Sequence, residues 1–147
     1  MQKLNLPTYN FKLKSKENKT LIFDKFRKKY IVLTPEEWVR QHFSYFLVEE
    51  KKYPISLIAI EKQLSINNIQ KRSDILVFNN KGEPDIIVEC KAPSVTINQS
   101  TFDQIAKYNL KLKANFLVVT NGLHHFYCKM DFENETYIFL KDLPSYN

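Results

Sequence analysis

Residues 71–93, KRSDILVFNNKGEPDIIVECKAP, carry the most informative pattern in this sequence. It predicts a β-hairpin, because two apolar runs, 74–78 and 85–90, flank a segment of turn residues at 79–84. A strand that ends in charged residues is often only a solvated sheet edge. Here both runs are almost continuously apolar, which is typical of strands buried on both faces. An acid at the end of such a strand therefore indicates a site rather than a solvated edge.

Folding this hairpin about its middle places Asn79 opposite Pro84 at the turn and Asp74 opposite Glu89 at the open end. Directly opposed residues in an antiparallel pair have Cβ atoms roughly 5 Å apart. Two carboxylates at that separation repel each other unless a cation lies between them. Oxygen ligands suit Mg²⁺ or Mn²⁺. Because side chains alternate along a strand, Lys91 shares the face of Glu89, so the open end is predicted to hold two acids, a metal ion and an ammonium group.

A second acid competes with Asp74 for this role. Pro84-Asp85 followed by Glu89 and Lys91 spells P-D-x-x-x-E-x-K. Asp85 and Glu89 lie on one strand, however, and four residues at about 3.3 Å each separate them by roughly 13 Å. That is too far for two ligands of one ion held at about 2.1 Å. The first acid is therefore assigned to Asp74.

The pattern of Asp74 followed by Glu-Cys-Lys at 89–91 resembles the D…(D/E)xK signature of the PD-(D/E)xK nuclease superfamily. The whole stretch is most similar to the N-terminal nuclease domain of type I restriction enzyme R subunits, in a stand-alone form. Gln104 and Tyr108 match the QxxxY motif that follows the lysine in that family. The resemblance covers about residues 34–144 and implies a DNA endonuclease that leaves a 5′-phosphate and a 3′-hydroxyl.

Hydrolysis of a phosphodiester needs an activated water, neutralisation of phosphate charge and help for the leaving oxygen, most of which metal ions supply. In this hypothesis Asp74 and Glu89 bind Mg²⁺, for which Mn²⁺ can substitute, and the backbone carbonyl of Cys90 adds a ligand. The side chain of Cys90 points to the opposite face of the strand. Lys91 orients the attacking water and stabilises developing negative charge.

The first predicted helix begins after Thr34 and runs to about residue 51. Thr34 suits the N-cap and Pro35 the first helical position. Glu37 then falls at the third position of a capping box. Glu36 leans toward the buried side of the helix, and superfamily members often place an extra active-site acid there. Glu36 is therefore a further catalytic candidate, whereas Glu37 is better explained as a cap.

A second helix is predicted to begin at Ser100 or Thr101 and to end near residue 113. Gln104 and Tyr108 lie four residues apart and so share one face of this helix. A core tyrosine beside a polar glutamine is the alternative interpretation of the pair. The resemblance implies that their face looks over the metal site, where they contact substrate or support the lysine.

The chain carries a net charge of +6, with a pI of about 9.2. This charge favours an anionic partner without identifying it. The basic clusters at 12–16 and 25–29 are each typical of a solvated face. Lys71 and Arg72 differ, because they directly precede the acidic site and could hold a phosphate there. With Lys107 and Lys111 on the second helix, they are the candidate DNA contacts.

The order helix, three strands, helix, strand predicts the αβββαβ core of a restriction-endonuclease-like α/β (α+β) fold, with a mixed central sheet flanked by helices. Residues 1–33 are expected to form an N-terminal β-hairpin arm packed on the nuclease-like domain at 34–147, in one globular unit. No apolar run approaches 18 residues, so no membrane span is expected. Two cysteines and no continuous apolar leader favour a reduced, cytoplasmic setting.

Two alternatives stay open. The chain could be a DNA-binding or assembly module that keeps the nuclease fold but cleaves little alone, since its two glycines cannot supply the P-loop of a translocase motor. It could also be a junction or repair nuclease on the same fold, because fold alone does not fix function. Such enzymes usually act as dimers. A homodimer, and association with subunits of a restriction, replication or repair system, are both compatible with the sequence.

Overall fold

A computed structural model describes residues 1–66 and 69–147, with side chains described outside residues 63–72. It contains nine strands, two helices and a short 3₁₀ turn within those residues. In chain order the elements are β1 (Leu13–Lys16), β2 (Lys19–Asp24), β3 (Lys29–Val32), α1 (Pro35–Glu49), a 3₁₀ turn (Ile55–Leu57), β4 (Ile58–Ile66), β5 (Ile69–Phe78), β6 (Pro84–Cys90), α2 (Gln99–Leu110), β7 (Phe116–Thr120), β8 (His125–Asp131) and β9 (Thr136–Leu140).

The central sheet has six strands in the order β4-β5-β6-β7-β8-β9. Every neighbouring pair is antiparallel except β6 and β7, which are parallel. Parallel neighbours need a crossover connection, and α2 is that crossover. The predicted αβββαβ core is therefore confirmed as α1, β4, β5, β6, α2 and β7, and β8 and β9 extend it. Strand β9 forms one edge of the sheet and β4 the other.

The register of the decisive hairpin is the predicted one through its apolar part, from Ile75 opposite Val88 to Val77 opposite Ile86. At the turn the prediction that Asn79 faces Pro84 is wrong. A bulge follows Val77, so Phe78 pairs with Pro84 instead. The physical reason lies in residues 79–83, where the Asn79 carboxamide oxygen accepts hydrogen bonds from two turn amides. This side chain closes the turn one residue earlier than a symmetric fold-over.

Helix α1 begins as the sequence predicts. The Thr34 hydroxyl oxygen accepts from the amide of Glu37 at 3.0 Å, and Pro35 occupies the first turn. The helix ends at Glu49, two residues before the predicted end. Val39, Phe43 and Leu47 are completely buried along one stripe. They pack against one face of the central sheet, to which β5 and β6 contribute Ile75, Val77, Ile86, Val88 and Cys90.

Helix α2 covers the other face of the sheet. Its N-cap is Asn98, whose side chain accepts from the amide of Thr101 at 2.8 Å, so the predicted caps at Ser100 and Thr101 are wrong. Phe102 and Ala106 are buried against the second apolar cluster, with Leu76, Ile87, Leu117 and Val119. In the described ranges, no helix is long and apolar enough to cross a membrane.

The N-terminal sheet, β1-β2-β3, is antiparallel throughout. Glu17 and Asn18 both have positive φ angles, of 52° and 63°, which suits the two-residue turn between β1 and β2. The segment before β1 lies against the core, because the Asn5 amide donates to the Gly122 carbonyl at 2.8 Å. A side chain at position 122 would meet Leu4 at 2.8 Å, and Gly122 also has a φ of +85°. The segment at 1–11 therefore depends on a glycine in the β7–β8 turn.

Candidate active site

The candidate site lies where β5 and β6 stop pairing. The last described pair of their ladder toward that end is Ile75 with Val88. One residue further along β5, a carboxylate oxygen of Asp74 accepts the backbone N–H of Cys90 at 2.8 Å. A side chain thus replaces the next backbone partner. This bond holds the Asp74 side chain between the two strands; its position directly opposite Glu89 stays a prediction.

Strand β6 stays paired with its parallel neighbour β7 as far as the candidate site. Glu89 pairs with Val119 and Cys90 with Thr120. The amide of Lys91 then donates to the Thr120 carbonyl at 2.8 Å. Because the carboxyl ends of parallel strands meet at one edge of the sheet, this bond fixes the backbone on which Glu89 and Lys91 stand beside Asp74.

Helix α1 brings Glu36 and Arg40 to the same place. One Nη2 of Arg40 donates to Asp74 at 3.1 Å and to Glu36 at 3.3 Å. The Arg40 side chain is only 6% exposed, whereas that of Glu36 is 47% exposed. Partial burial and the neighbouring Asp74 carboxylate raise the pKa of Glu36, and Arg40 and Lys91 oppose that rise. The structure therefore brings the predicted Glu36, Asp74 and Lys91 into one electrostatic cluster.

Behind the cluster lies a buried ion-pair network. Glu37 is 6% exposed, and its carboxylate accepts from Arg40, from Arg27 at 3.0 Å and from Gln41 at 2.9 Å. Its amide is capped as predicted, but its carboxylate is committed to these donors. The prediction that Glu37 serves as a cap is therefore incomplete: the side chain holds two arginines in place.

Glu61 on β4 belongs to the same network. It pairs with Arg27 at 3.2 Å and with Arg40 at 3.3 Å. Its φ is 52°, in the left-handed region that non-glycine residues rarely adopt within a strand. Neither arginine was singled out from the sequence. The spacing of Glu36 and Glu37 four and three residues before Arg40 could have indicated the helical pairs, but no local pattern indicates the contacts to Glu61 and Asp74.

The Cys90 side chain takes no part in the cluster. It is buried on the α1 side of the sheet among apolar residues, as alternation along β6 predicts. Complete burial, reinforced by the Asp74 carboxylate, raises the pKa of the Cys90 thiol well above its usual range. A thiol kept neutral in this way is a poor nucleophile and ligand. The contribution of this residue is its peptide group, whose N–H holds Asp74.

The residues predicted on α2 differ in their exposure and surroundings. Gln104 and Lys107 are exposed, and Tyr108 is half-buried. Lys111 is exposed and lines a cavity of about 570 Å³ with residues 79, 83 and 84. Those residues form the turn of the hairpin, so Lys111 stands at the opposite end of β5 and β6 from Asp74. The side chains of Lys71 and Arg72, predicted to hold phosphate, lie outside the described residues.

The literal P-D match is excluded by the structure for the reason that strand geometry gives. Asp85 lies at the beginning of β6, at the turn end of the sheet, and accepts from the Asn115 side chain at 2.8 Å. Glu89 lies near the end of the same strand. Asp74, in contrast, bonds directly to the residue after Glu89.

A divalent metal would find oxygen donors here. Asp74, Glu89 and the half-exposed Glu36 carry carboxylates, the ligands that Mg²⁺ prefers, and the pKa of Glu36 is raised first by partial burial and then by the Asp74 carboxylate. In the part of the chain that the structure describes, no three His, Cys, Asp or Glu side chains are grouped so that they could hold a metal ion. The donor chemistry fits Mg²⁺ only with a peptide carbonyl or water completing its shell.

Comparison with solved structures shows the fold. A fragment of a candidate HsdR subunit of a type I restriction enzyme from Vibrio vulnificus superposes with a TM-score of 0.51 at 20% identity, over 77% of this chain and 24% of that one. A candidate nuclease belonging to DUF820 from Anabaena variabilis superposes with a TM-score of 0.50 at 11% identity, over 87% of this chain and 80% of that one. The chain thus spans about a quarter of the HsdR fragment.

The sequence itself carries a family assignment. No curated protein sequence matches the chain significantly. The family model for the type I restriction enzyme R protein N terminus (HSDR_N) matches residues 35–144, which begin with α1 and include every element of the central sheet. The match covers most of the chain and contains Asp74, Glu89 and Lys91. The chain therefore belongs to the family of the type I restriction enzyme R protein N terminus.

Proposed function

We propose that the chain is a metal-dependent DNA endonuclease of the PD-(D/E)xK type that hydrolyses phosphodiester bonds. The observation that carries this proposal is the position of Asp74, whose carboxylate lies between two separating strands and bonds to the amide that follows Glu89. Asp74 and Lys91 both lie close enough to Glu36 to shift its pKa, in opposite directions. Acids and an ammonium gathered at a strand end are the groups that phosphodiester hydrolysis needs.

The Asp74 carboxylate keeps lone pairs that its hydrogen-bonded neighbours do not use and that could bind a cation. It accepts one bond from the Cys90 amide and one from Arg40. An ionised carboxylate has about four lone-pair sites, so ligand positions remain. Asp74, Glu89 and the carbonyl of Cys90 would hold Mg²⁺ or Mn²⁺. When bound, the metal would supply phosphate neutralisation and a more acidic water.

Lys91 is suited to act on the water or on the phosphate. Its backbone is fixed by the bond to Thr120, while its side chain is half-exposed. In the described part of the chain, no carboxylate lies within 4.0 Å of its ammonium group. The group remains near enough to lower the pKa of Glu36. An ammonium held near acids but not locked to one of them can stabilise charge that develops during the reaction.

Plasmid nicking with Mg²⁺, with Mn²⁺ and with EDTA tests the proposal. We expect Asp74→Asn, Glu89→Gln and Lys91→Met each to lower the cleavage rate by more than about 100-fold, since even groups that only support metal ligands contribute about 10–100-fold. Asp85→Asn is the matched control, because it changes an acid on the same strand at the turn end. Cleavage by Asp74→Asn at the wild-type rate, or cleavage that persists in EDTA, would refute the assignment.

A DNA-binding or assembly module is the second candidate. Two observations favour it: the buried Arg40 guanidinium already compensates Asp74, and the chain spans only 24% of the HsdR fragment. Calorimetric titration with Mn²⁺ separates the two functions. Binding that is lost in Asp74→Asn and Glu89→Gln supports the nuclease. DNA affinity without metal binding supports the module, whose partners would then be DNA and other subunits of a restriction or repair system.

A further inference from the structure

The net positive charge of this chain comes from its N-terminal part. Residues 1–33 contain nine lysines and arginines and two acids, a net charge of +7. The whole chain contains 22 and 16. The remaining 114 residues therefore contain 13 basic and 14 acidic residues, a net charge of −1. The family match begins at residue 35, so the basic part lies outside the matched family region.

The two faces of the N-terminal sheet differ along β2, where one face carries buried residues and the other adjoins the lysines of β1. Ile22 and Asp24 on β2 are 0% and 1% exposed. Lys14 opposes Leu21, and Leu21 opposes Val32, so they share the other face. By the same alternation this outward face carries four exposed lysines and two aromatic rings. The lysines are Lys12, Lys14, Lys16 and Lys19, and the rings are those of Phe23 and Tyr30.

Contacts between these side chains confirm that they share a face. The Lys14 ammonium lies 4.0 Å from the centre of the Tyr30 ring, and that of Lys12 lies 5.7 Å from the Phe23 ring. The two ring centres are 5.2 Å apart. Among the described residues, none of the four lysines has a carboxylate within 4.0 Å. The result is a lysine–aromatic face whose charge is not neutralised by the protein.

The N-terminal sheet is joined to the candidate site by a chain of ion pairs. Arg27, in the turn between β2 and β3, bonds to Asp24 and to Glu37 of α1. Glu37 in turn bonds to Arg40, which bonds to Asp74. All of these side chains are 18% exposed or less. The sheet is therefore anchored through α1 to the acid that the proposed reaction uses.

From these observations we infer that the lysine–aromatic face binds the phosphodiester backbone of DNA; this inference rests on the proposed function of the neighbouring site. Uncompensated lysines attract phosphates, and DNA is the substrate of the reaction proposed at the site to which this sheet is anchored. Residues 34–147 carry a net charge of −1, so the excess of positive charge lies in residues 1–33. In this inference the N-terminal sheet attracts DNA electrostatically and holds it near Asp74 and Glu36.

The test is fluorescence anisotropy with a labelled 25-base-pair duplex, in EDTA, at several salt concentrations. The variant replaces Lys12, Lys14, Lys16 and Lys19 by glutamine. The matched control makes the same change in net charge by replacing four exposed lysines outside the N-terminal sheet by glutamine: Lys81, Lys113, Lys129 and Lys141. We expect the first variant to bind at least about tenfold more weakly, with a log–log salt slope reduced by up to about 0.9 for each phosphate that the variant no longer neutralises. The control should stay within about twofold of wild type.

Equal loss of affinity in the two variants would show that only net charge matters and would overturn the inference, as would no loss in either. Wild-type binding to anionic vesicles or to poly-glutamate as tight as to DNA, with the same lysine dependence, would also overturn it. Because EDTA prevents metal-dependent cleavage, the result is independent of the nuclease assignment. DNA binding through this face by a protein that never nicks plasmid would refute the proposed reaction and leave the inference intact.

Discussion

The two sheets of the protein differ in how much of their surface is covered. The six-stranded sheet is covered by α1 on one face and α2 on the other, and its central strands are almost completely buried. The three-stranded sheet is covered on one face only, and β1 is exposed along its whole length. Fully buried strands fix positions accurately, which a site with Asp74 and Glu89 needs. A half-covered sheet offers surface instead.

The difference also shows in how each sheet treats charge. At the open end of the central sheet, acids are compensated by arginines from other elements, and Arg40 is almost completely buried. On the lysine–aromatic face, the ammonium groups stand in solvent beside aromatic rings. Buried pairs specify geometry and cost desolvation, whereas exposed lysines act at a distance and are screened by salt. The two regions meet on α1, at a junction formed by the neighbouring acids Glu36 and Glu37.

Substitution of Glu37 should break the junction and give the largest effect on stability. Glu37→Gln leaves the buried guanidinium groups of Arg27 and Arg40 without their shared carboxylate, and breaking a buried pair costs about 3–5 kcal/mol. We expect the free energy of unfolding, from urea denaturation followed by circular dichroism, to fall by about 3 kcal/mol. Glu36→Gln, one residue away and 47% exposed, should change it by less than about 1 kcal/mol.

The same pair of variants separates structure from chemistry. If Glu36 serves the proposed reaction, Glu36→Gln lowers the cleavage rate while the protein remains as stable as wild type. A Glu36→Gln protein that unfolds as easily as Glu37→Gln would show that the two acids form one structural unit. The contrast between a buried junction and an open site would then be wrong.

The sequence predicted the hairpin because its information is local. Two almost continuously apolar runs and a turn segment set the register from Ile75 to Val77, and the same register placed Asp74 beside the end of β6. The bulge after Val77 was missed, because it depends on how the Asn79 side chain folds the turn. Asn98 was missed as the cap of α2 because Ser100 and Thr101 are equally competent, and only packing chooses among them.

The ion-pair network could not be predicted in the same way. Its members come from the β2–β3 turn, α1, β4 and β5, and their contacts join residues up to 34 positions apart. A charged residue in a sequence is more often solvated than paired. The burial of Arg40 is a consequence of how α1 packs on the sheet, which becomes visible only once the fold is assembled.

Substitution of Arg27 should loosen one sheet and leave the other intact. Arg27 is 18% exposed and bonds to Asp24, Glu37 and Glu61. Arg27→Met would leave the buried Asp24 carboxylate without its charged partner, at a cost of about 1–3 kcal/mol. We expect hydrogen exchange of the β1–β3 amides to accelerate, while that of β5 and β6 is unchanged.

The control for this experiment is Lys29→Met, which removes an exposed positive charge from the same sheet and should leave exchange unaltered. Equal acceleration in both sheets would contradict the view that Arg27 is a link between separately stabilised parts. It would indicate one cooperative unit.

The smallest expected effect is a pH dependence of the attachment of the N-terminal segment. His42 packs on the Phe11 ring at 4.8 Å, and His125 bonds to the Asn5 carbonyl at 2.8 Å. Burial lowers the pKa of both imidazoles below 6.5. The unfolded chain therefore takes up these protons first as the pH falls, so the contribution to stability is complete above pH 6.5 and decreases below it.

Thermal unfolding measured about one pH unit above and below 6.5 should show a difference of about 1 kcal/mol or less from this source. His42→Gln with His125→Gln should flatten the dependence, whereas substitution of the exposed His124 should not. If His124→Gln flattens it equally, the effect is one of general charge. If the double variant keeps the full slope, carboxylates set the acid limit, and the neutral histidines only shape the surface on which the first eleven residues lie.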